Sequence, residues 1–253
     1  MTNAVIECLM NHRSVRRFKP KPIEPEKLDL ILKAGIRAPT AGNLQHYSLI
    51  VVDDVEKKRA LWGSPAVEAP TIIIAVVDQY RMKRWVEVSD APFYFDQVVN
   101  LFIGFWDAIV ALHNIVVAAE SLGLGTCYMG TVLSVDIQRA LGTPAYVFPA
   151  GMVWLGYPDE SPELRSRLPL EAVVHRNGYH VPTDDEIRAF YHEKNQEWWE
   201  GLSEESKRTF RERGITNKAQ ERTIGHYTEQ FIRGESKSIL ENIEKAKFKL
   251  TVE

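Results

Sequence analysis

The sequence has little cysteine and no large excess of charge, and both deficits exclude classes of protein. Two of its 253 residues are cysteines, and Cys8 and Cys127 are too far apart for a Cys-x-x-Cys motif. This spacing predicts two thiols in a cytoplasmic protein rather than a disulfide scaffold. Lys and Arg total 31 against 34 for Asp and Glu, which leaves a net charge of −3. Because general nucleic-acid binders usually carry a strong basic excess, we expect no nucleic-acid partner.

Common catalytic and nucleotide-binding motifs are also missing. The sequence has no P-loop, no His-Glu-x-x-His pair and no Gly-x-Ser-x-Gly elbow. Gly123-Leu124-Gly125 begins like a dinucleotide fingerprint, but it follows a predicted helix rather than a strand, and Tyr128 replaces the third glycine. The seven histidines are scattered, so no ligand spacing supports a metal site.

Signals for export or membrane insertion are not expected either. Residues 1–7 lack the basic stretch and apolar core of a signal peptide. Residues 101–119 are mostly apolar, but Asp107 lies near their middle, where a charge costs about 3 kcal/mol on insertion. A buried core helix explains this stretch better, which predicts a soluble, cytoplasmic protein with no membrane partner.

Apolar spacing and turn residues predict an α+β fold. The predicted helices cover residues 3–10, 25–38, 54–63, 96–122 and 134–142, the last capped by Ser134. The predicted strands cover residues 47–53, 71–77, 126–129 and 146–156, the last broken by Pro149 and Gly151. Residues 78–95 are predicted as a loop, and the Asn177-Gly178 turn within residues 171–179 is typical of a hairpin.

The character of the chain changes after residue 182. Thr183 and Glu186 form a capping box, and three charged helices are predicted beyond it. Glycines punctuate these helices at positions 201, 214 and 234. We therefore divide the chain into a core of residues 1–182 and a helical extension of residues 183–253 within the same domain.

The strongest positive signal is the stretch Asn11–Phe18, which we call the basic segment. Arginine binds phosphate through parallel, charge-assisted hydrogen bonds. Arg13, Ser14 and Arg16 lie within four residues just after a predicted helix, so one turn could aim all three at one anion. Taken alone, a solvated basic turn explains the segment better.

Two further stretches add to this signal. The small-residue loop, Ala38–Gln45, has small side chains that let a flat ring approach the backbone, and it ends in amides that can pair with a pyrimidine edge. A polar helix-to-strand linker is the alternative. The stretch Arg165–Pro169 holds a second close pair of arginines, for which a surface loop is the alternative.

In this order the three stretches resemble the nitroreductase family of FMN-dependent NAD(P)H oxidoreductases. The resemblance is closest to the oxygen-insensitive nitroreductases and flavin reductases with a C-terminal extension. It spans nearly the whole chain and adds three motifs, which are Ala119–Gly125, Tyr128–Gly130 and Val174–Tyr179. It implies a central, mostly antiparallel sheet flanked by helices, in an intertwined homodimer with its active sites at the interface and the extension wrapping the partner.

The resemblance also implies which residues bind FMN. Its phosphate would be held by His12, Arg13, Ser14, Arg16, Arg165 and Arg167. The partner's copy of the small-residue loop would pack against the isoalloxazine ring through Pro39, Thr40, Ala41, Asn43 and Gln45. The stretch after the long helix would lie along the ring through Tyr128, Met129, Gly130 and Thr131.

Two positions depart from the family pattern. Thr131 stands where relatives of this branch often have a second glycine, and its side chain is expected to narrow the pocket. Gly63-Ser64-Pro65 stands where many relatives have a Gln or Asn that contacts the flavin edge. We therefore assign no residue to that contact.

The implied reaction is a ping-pong electron transfer. NAD(P)H would deliver hydride to flavin N5 and leave, after which a small flat acceptor (a nitroaromatic, a quinone or a free flavin) would take the electrons from the same pocket. Because the cofactor supplies the redox chemistry, no catalytic side chain is predicted. Arg13 or Arg16 is expected near flavin N1, where a cation stabilises the reduced form.

Several alternatives stay open. Basic residues of the extension contact the NADPH 2′-phosphate in the extended branch, but a solvated helix face explains the four candidates here better. These candidates are Lys207, Arg208, Arg211 and Arg213. For function, the alternatives are a flavin-binding sensor or storage protein without turnover, a dimeric interaction protein without a cofactor, and a dehalogenase or flavin-destroying relative on the same fold.

Overall fold

The computed structural model describes residues 2–62 and 69–251. The predicted helix end near Gly63 and the departure at Gly63-Ser64-Pro65 lie outside these residues. The chain forms two compact units, one up to Glu163 and again from Ser236 onward, the other Leu164–Glu235. The division at residues 182 and 183 follows sequence character rather than packing, and it stays a prediction.

One antiparallel sheet organises the first unit. Its strands are β1 (Tyr47–Val52), β2 (Thr71–Asp78), β3 (Gly125–Met129) and β4 (Val147–Gly156). They lie in the order β1-β2-β4-β3 with every neighbouring pair antiparallel, which confirms the predicted α+β class. Strand β4 is continuous, contrary to the predicted break, because a bulge at Ala150 accommodates Pro149 and Gly151 opposite β2.

Both faces of this sheet are buried. All eight residues of β2 are buried, as its continuous β-branched run predicts. Residues 73, 75 and 77 of β2 pack in the cluster that contains the long helix, while residues 72, 74 and 76 pack in a second cluster with Val15 and Phe18. The basic segment is therefore part of the layer that covers one face of the sheet.

The helices of the first unit follow the predictions with two exceptions. They are α1 (Ala4–Met10), α2 (Pro25–Gly35), α3 (Val55–Trp62), α4 (Gln79–Val88), α5 (Val98–Ser121) and α6 (Ile137–Leu141). Helix α4 corrects the predicted loop at 78–95, because the Asp78 side chain caps a helix there by accepting from the Arg81 N–H. Helix α6 is capped by Asp136 rather than Ser134, which lies in the preceding 3₁₀ turn.

Helix α5 is the described helix that is long and apolar enough to cross a membrane. Nine of its residues, including Asp107, are buried, and it packs against α2, β2 and β4. This burial confirms the predicted core helix. Gly123 follows it with a left-handed φ of 78°, the conformation in which glycine commonly ends a helix.

The described part of the extension is helical, as predicted, but it contains four α-helices instead of the three expected. Its elements are α7 (Asp184–Glu200), α8 (Glu204–Glu212), α9 (Lys218–Gln220) with the π-helical turn Glu221–His226, and α10 (Glu229–Lys245). The capping box is confirmed, since Thr183 N–H donates to Glu186 Oε2 at 2.7 Å and Glu186 N–H donates to Thr183 Oγ1 at 3.3 Å.

Two expectations for this part of the chain are wrong. Gly234 lies inside α10 instead of ending a helix, because one glycine costs a helix only about 1 kcal/mol. Asn177 has the left-handed φ of 62° that suits a tight turn, but the described residues around it form no strands. A two-stranded hairpin is marginal alone, which explains why the turn signal is insufficient.

Candidate functional site

The basic segment runs extended beside β3. Val15 N–H donates to the Thr126 carbonyl at 2.8 Å, and Ser14 forms a parallel bridge with the same residue. Gly125 allows this close approach, because a Cβ there would lie 2.8 Å from Cβ of Val15. Val15 is buried and Arg16 is exposed, the alternation of an extended chain. Backbone pairing therefore positions the segment.

A single carboxylate holds the next residues. Oε1 of Glu160 accepts from the Arg16 N–H at 2.6 Å and from the Arg17 N–H at 3.1 Å, and Oε2 accepts from Arg17 Nε at 3.1 Å. The two backbone donors hold the pKa of Glu160 below its usual range. The Arg16 guanidinium is exposed and, among the residues that the structure describes, has no hydrogen-bonded partner. Arg16 is thus fixed at its backbone and available at its side chain.

The two preceding side chains are already engaged by the fold. His12 Nδ1 lies 2.8 Å from Oε1 of Glu120 near the end of α5, and Glu120 also accepts from the Thr126 hydroxyl. Arg13 donates from Nη1 to the Pro162 carbonyl at 3.1 Å. Both His12 and Arg13 are half-buried. Of the predicted basic phosphate ligands in this segment, which are His12, Arg13 and Arg16, Arg16 is therefore the least committed.

Two cavities lie beside the segment. Arg13 and Glu160 help to line one of about 270 Å³, which is smaller than most nucleotide or drug pockets. A larger one of about 770 Å³ is lined in part by Arg17 and Lys21, and by none of the predicted binding residues. The larger cavity is therefore not the one beside the predicted phosphate ligands. It is a poor phosphate site, because both of its cations are already paired with glutamates.

The small-residue loop is tied to α5 by Asp107, which is only 4% exposed. The Asp107 carboxylate accepts from the Thr40 hydroxyl at 2.8 Å, from the Ala41 N–H at 2.9 Å and from the His46 N–H at 3.1 Å. Thr40 Oγ1 in turn accepts from the Gln45 N–H at 2.8 Å. One buried carboxylate in the middle of a helix therefore holds both ends of the loop.

Between those ends the backbone is strained. Gly42, Asn43 and Gln45 have φ values of 58°, 58° and 53°. Glycine adopts this left-handed region freely and asparagine does so more than most residues, but glutamine rarely does. Strain of this kind persists only where surrounding bonds enforce it, and it is concentrated at ligand and active sites. Pro39, Ala41 and Asn43 are exposed, so the outer surface of the loop is open.

The third predicted group lies at the end of β3. Tyr128 and Met129 still pair with β4, after which the chain turns through the 3₁₀ helix Gly130–Ser134. Tyr128, Gly130 and Thr131 are exposed and Met129 is half-buried. A Cβ on Gly130 would have no atom within 4 Å, so the backbone there borders open space. The narrowing of a pocket by Thr131 stays a prediction.

The second pair of arginines belongs to the second unit. Arg165 and Arg167 are both exposed, and Arg167 Nη1 donates to the Arg165 carbonyl at 3.1 Å. Ser166, between them, donates its N–H to Oε2 of Glu197 at 3.2 Å and donates its hydroxyl to the same atom. The Ser166 bonds lower the pKa of Glu197. A glutamate thus accepts from the backbone of each basic motif, Glu160 in one and Glu197 in the other.

The structure brings together only part of the predicted site within the first unit. Ser14 lies beside β3, the strand that ends in Tyr128 and Met129. The small-residue loop is anchored on α5 at Asp107, whereas His12 is anchored at Glu120, thirteen residues later. At a rise of 1.5 Å per residue, these anchors lie about 20 Å apart along the helix. Within one chain, the loop and the basic segment are therefore held at separate places.

Three residues with organising roles were not among the predicted site residues. They are Asp107, Glu160 and Arg81, which donates to the Tyr47 carbonyl at 3.1 Å and to the Gln45 carbonyl at the exit of the loop. Asp107 has a signal in the sequence, because it is a charge inside the most apolar predicted helix. Glu160 and Arg81 have none, since charged residues near loops are common.

A protein family and individual known proteins match most of the chain. The sequence profile of the nitroreductase family matches residues 9–157. A protein named FMN reductase (NADPH) from Bacillus subtilis is 34% identical over 192 residues, which are 72% of this chain and 77% of that protein.

Solved structures are similar over more of the chain. NfrA2 from B. megaterium superposes with a TM-score of 0.84 at 28% identity, covering 99% of this chain and 100% of that one. The NADPH:FMN oxidoreductase from Vibrio harveyi in complex with NAD+ superposes with a TM-score of 0.68 at 26% identity, covering 85% of this chain and 100% of that one.

Proposed function

The chain belongs to the nitroreductase family, and from this premise we propose that it is an FMN-dependent enzyme that passes electrons from NAD(P)H to nitroaromatics, quinones or flavins. The observation that carries the proposal is the family match over residues 9–157, which includes the basic segment, the small-residue loop and the end of β3. The relatives are named as reductases and oxidoreductases, so a sensor or storage protein without turnover is not favoured.

The basic segment suits the phosphate of FMN. A phosphate monoester has up to two negative charges and three acceptor oxygens. The guanidinium of Arg16, which is exposed and has no hydrogen-bonded partner among the described residues, can bind two of these oxygens in parallel. The neighbouring Glu160 does not cancel this charge, because it is paired with Arg17. We assign the phosphate to Arg16 with His12, Arg13 and Ser14, and the family resemblance adds Arg165 and Arg167.

The small-residue loop and the end of β3 suit a flat ring. The loop has an open outer surface on a rigid backbone, and Gly130 leaves space beside the chain. FMN, when bound, supplies the electron-transfer chemistry, and the protein supplies binding, orientation and charge. The residues assigned to the ring are Pro39, Thr40, Ala41, Asn43 and Gln45 of one copy and Tyr128, Met129, Gly130 and Thr131 of the other.

An exposed apolar stripe on α5 supports assembly as a homodimer. Val99, Phe102, Trp106 and Val110 lie on one helical face and are 56%, 56%, 68% and 38% exposed. Contiguous apolar surface of this kind marks protein interfaces. A second copy that covers it would supply its own small-residue loop to each site, in agreement with the distance of about 20 Å between the two anchors on α5.

We propose NADPH as the preferred electron donor. Among the four basic candidates, Lys207 is paired with Glu204 at 2.7 Å and the Arg211 guanidinium lies 5.1 Å from the Trp199 ring. The side chains of Arg208 and Arg213 are exposed and have no hydrogen-bonded or ion-pair partner in the part of the chain that the structure describes. These two guanidinium groups are the ones we assign to the 2′-phosphate.

The double variant Arg208→Ala/Arg213→Ala tests this assignment. It should lower kcat/KM for NADPH by at least tenfold, because a charge-assisted phosphate contact contributes about 1.5–3 kcal/mol. The value for NADH, which lacks the 2′-phosphate, should change less than twofold. Equal losses for both donors would contradict the assignment.

A cytoplasmic location is part of the proposal. Cys8 is half-buried and Cys127 is buried, and neither forms a disulfide. Thiols persist in reducing compartments, whereas secreted proteins usually pair them. This chemistry and the NAD(P)H donor both fit the cytoplasm.

Purification and spectroscopy test the proposed function. We expect a yellow protein, or a colourless one that gains a flavin spectrum and thermal stability when FMN is added. Stopped-flow oxidation of the reduced enzyme with quinones, nitroaromatics and flavins then identifies the acceptor class. A protein that neither binds FMN nor is stabilised by it would refute the proposal, and binding without multiple turnovers would favour the sensor or storage alternative.

A further inference from the structure

We propose that Asp107 is a positioning residue for the flavin ring, because it holds the small-residue loop in the conformation that faces the ring. The inference rests on the proposed function, in which this loop contacts FMN. Asp107 itself is buried in the middle of α5, so it acts through the loop and not by touching the cofactor.

The two carboxylate oxygens of Asp107 accept hydrogen bonds from different parts of the loop. Oδ1 accepts from the Ala41 N–H, at the start of the strained stretch. Oδ2 accepts from the Thr40 hydroxyl and from the His46 N–H, which follows the stretch. The distance between the two ends of the strained backbone is thus set by one rigid carboxylate group.

Thr40 links the Asp107 carboxylate to Gln45, the residue of the loop least suited to its left-handed φ. Its hydroxyl donates to Asp107 and accepts from the Gln45 N–H at 2.8 Å. Because the hydroxyl proton is committed to the carboxylate, an oxygen lone pair is left for Gln45, whose φ is 53°. The left-handed conformation of Gln45 therefore depends on Asp107 through Thr40.

The exit of the loop is fixed on the same helix. A Cβ on Gly104, one turn before Asp107, would lie 3.0 Å from the His46 carbonyl oxygen. The His46 ring nitrogen Nδ1 lies 3.3 Å from Oε1 of Gln79, whose Nε2 donates to the Asn100 carbonyl at 3.0 Å. With its exit held so closely to α5, the loop has little freedom to relax except by losing the Asp107 bonds.

Hydrogen bonds rather than ion pairs surround the Asp107 carboxylate in the described part of the chain. In the described residues, no side-chain nitrogen of Lys, Arg or His lies within ion-pair distance of its carboxylate, and its hydrogen-bond donors there are all in Thr40, Ala41 and His46. A buried charge is costly unless it is fully hydrogen-bonded. The hydrogen bonds to the loop therefore compensate for the burial of the Asp107 carboxylate.

Replacement by asparagine separates this role from side-chain size. In Asp107→Asn, an NH₂ group replaces one of the two accepting oxygens. Whichever way the amide is turned, the N–H of Ala41 or of His46 then faces a donor instead of an acceptor. The loop should lose its conformation at one end, although the shape of the side chain is unchanged.

The test compares FMN binding and the spectrum of bound flavin in the full-length protein. We expect Asp107→Asn to weaken FMN binding at least tenfold and to shift the visible absorption bands of the flavin that does bind. Asn114→Ala is the matched control, because it removes a half-buried polar group on the same helix that donates to the Ala34 carbonyl, away from the loop. The control should change FMN affinity less than threefold and leave the spectrum as in the wild type.

A second pair of variants covers the case in which Asp107→Asn does not fold. Thr40→Val removes the relay to Gln45 and should shift the flavin spectrum, whereas Thr40→Ser keeps the hydroxyl and should shift it less. Wild-type affinity and spectrum in a folded Asp107→Asn, or equal losses in Asp107→Asn and Asn114→Ala, would overturn the inference. Failure of the wild-type protein to bind FMN would instead refute the proposed function.

Discussion

The basic segment and the small-residue loop are held in place in different ways. The segment pairs with β3 at Ser14 and Val15, and Glu120 and Glu160, whose side chains are 14% and 19% exposed, add contacts on either side. The loop pairs with no strand among the residues that the structure describes, and one almost fully buried carboxylate holds both its ends. The segment exposes charged side chains on an extended, unstrained backbone, whereas the loop exposes an open surface on a strained one.

This difference indicates how each region should respond to change. Several separate contacts, with Thr126, Glu120, Glu160 and the Pro162 carbonyl, hold the segment, so one lost side chain removes a ligand contact and little else. Strain concentrates the stability of the loop in a few bonds, so one lost bond changes its form. Variants in the segment should therefore alter FMN affinity, and variants in the loop should also alter the flavin spectrum.

The largest effect is expected from Arg16→Ala. It removes the uncommitted guanidinium of the segment, and FMN binding should weaken by about 3 kcal/mol, or roughly 150-fold, because a charge-assisted phosphate contact is lost. Arg13→Ala should cost less, since Arg13 also donates to the Pro162 carbonyl. Fluorescence titration measures both, and the spectrum of the flavin that remains bound should be unchanged. A loss for Arg13→Ala that exceeds the loss for Arg16→Ala would reverse the assignment.

A smaller effect is expected from adding one methyl group beneath each region. In Gly104→Ala, the new Cβ would lie 2.4 Å from Cγ1 of Val77 and 3.0 Å from the His46 carbonyl oxygen, in a central strand and at the loop exit. In Gly125→Ala it would meet Val15 of the segment at 2.8 Å. Overpacking of this kind costs about 1–3 kcal/mol, and we expect about 2 for Gly104→Ala and about 1 for Gly125→Ala.

Urea unfolding without FMN measures these losses. Gly104→Ala should also shift the flavin spectrum, because the loop exit has to move, whereas Gly125→Ala should not. Equal stability with an unchanged spectrum in both variants would mean that the two regions are held alike.

The sequence predicted the elements that local patterns specify. The apolar run of β2, the long helix α5 and the Thr183–Glu186 capping box were all found where the residues place them. It failed at Asp78 and Asp136, because an aspartate caps a helix only if the backbone N–H groups beyond it turn toward it, and that depends on packing. The missed helix α4 is mostly polar, and its apolar stripe is short, with Met82 and Val86 as its buried apolar side chains.

In the candidate site, too, the sequence predicted the local motifs but not the distant residues that position them. Arg16 and Asn43 belong to motifs that are contiguous in the sequence, so a resemblance to a family is enough to find them. The groups that organise those motifs lie far away along the chain, since Glu160 is 144 residues from Arg16 and Asp107 is 66 residues from Ala41. Only the fold brings such pairs together, and no local pattern indicates them.

The smallest effect is expected at Glu160, and its sign follows from its pKa. Backbone donors of the segment hold the pKa below its ordinary value of 4.5 in the folded protein, so the carboxylate stabilises the fold above that value. This stabilisation is lost as the pH falls through the lower pKa of the folded state. The Glu160→Gln amide can still accept from the Arg16 N–H but cannot pair with the charge of Arg17.

Wild type and Glu160→Gln should therefore differ slightly in urea unfolding at pH 7 and become equal well below pH 4. Asp107→Asn should stay destabilised at pH 7 whatever the salt concentration, because its loss is of buried hydrogen bonds, whereas added salt should reduce the difference made by Glu160→Gln at the surface. A Glu160→Gln loss as large and as insensitive to salt as that of Asp107→Asn would show that the basic segment, like the loop, depends on a single carboxylate.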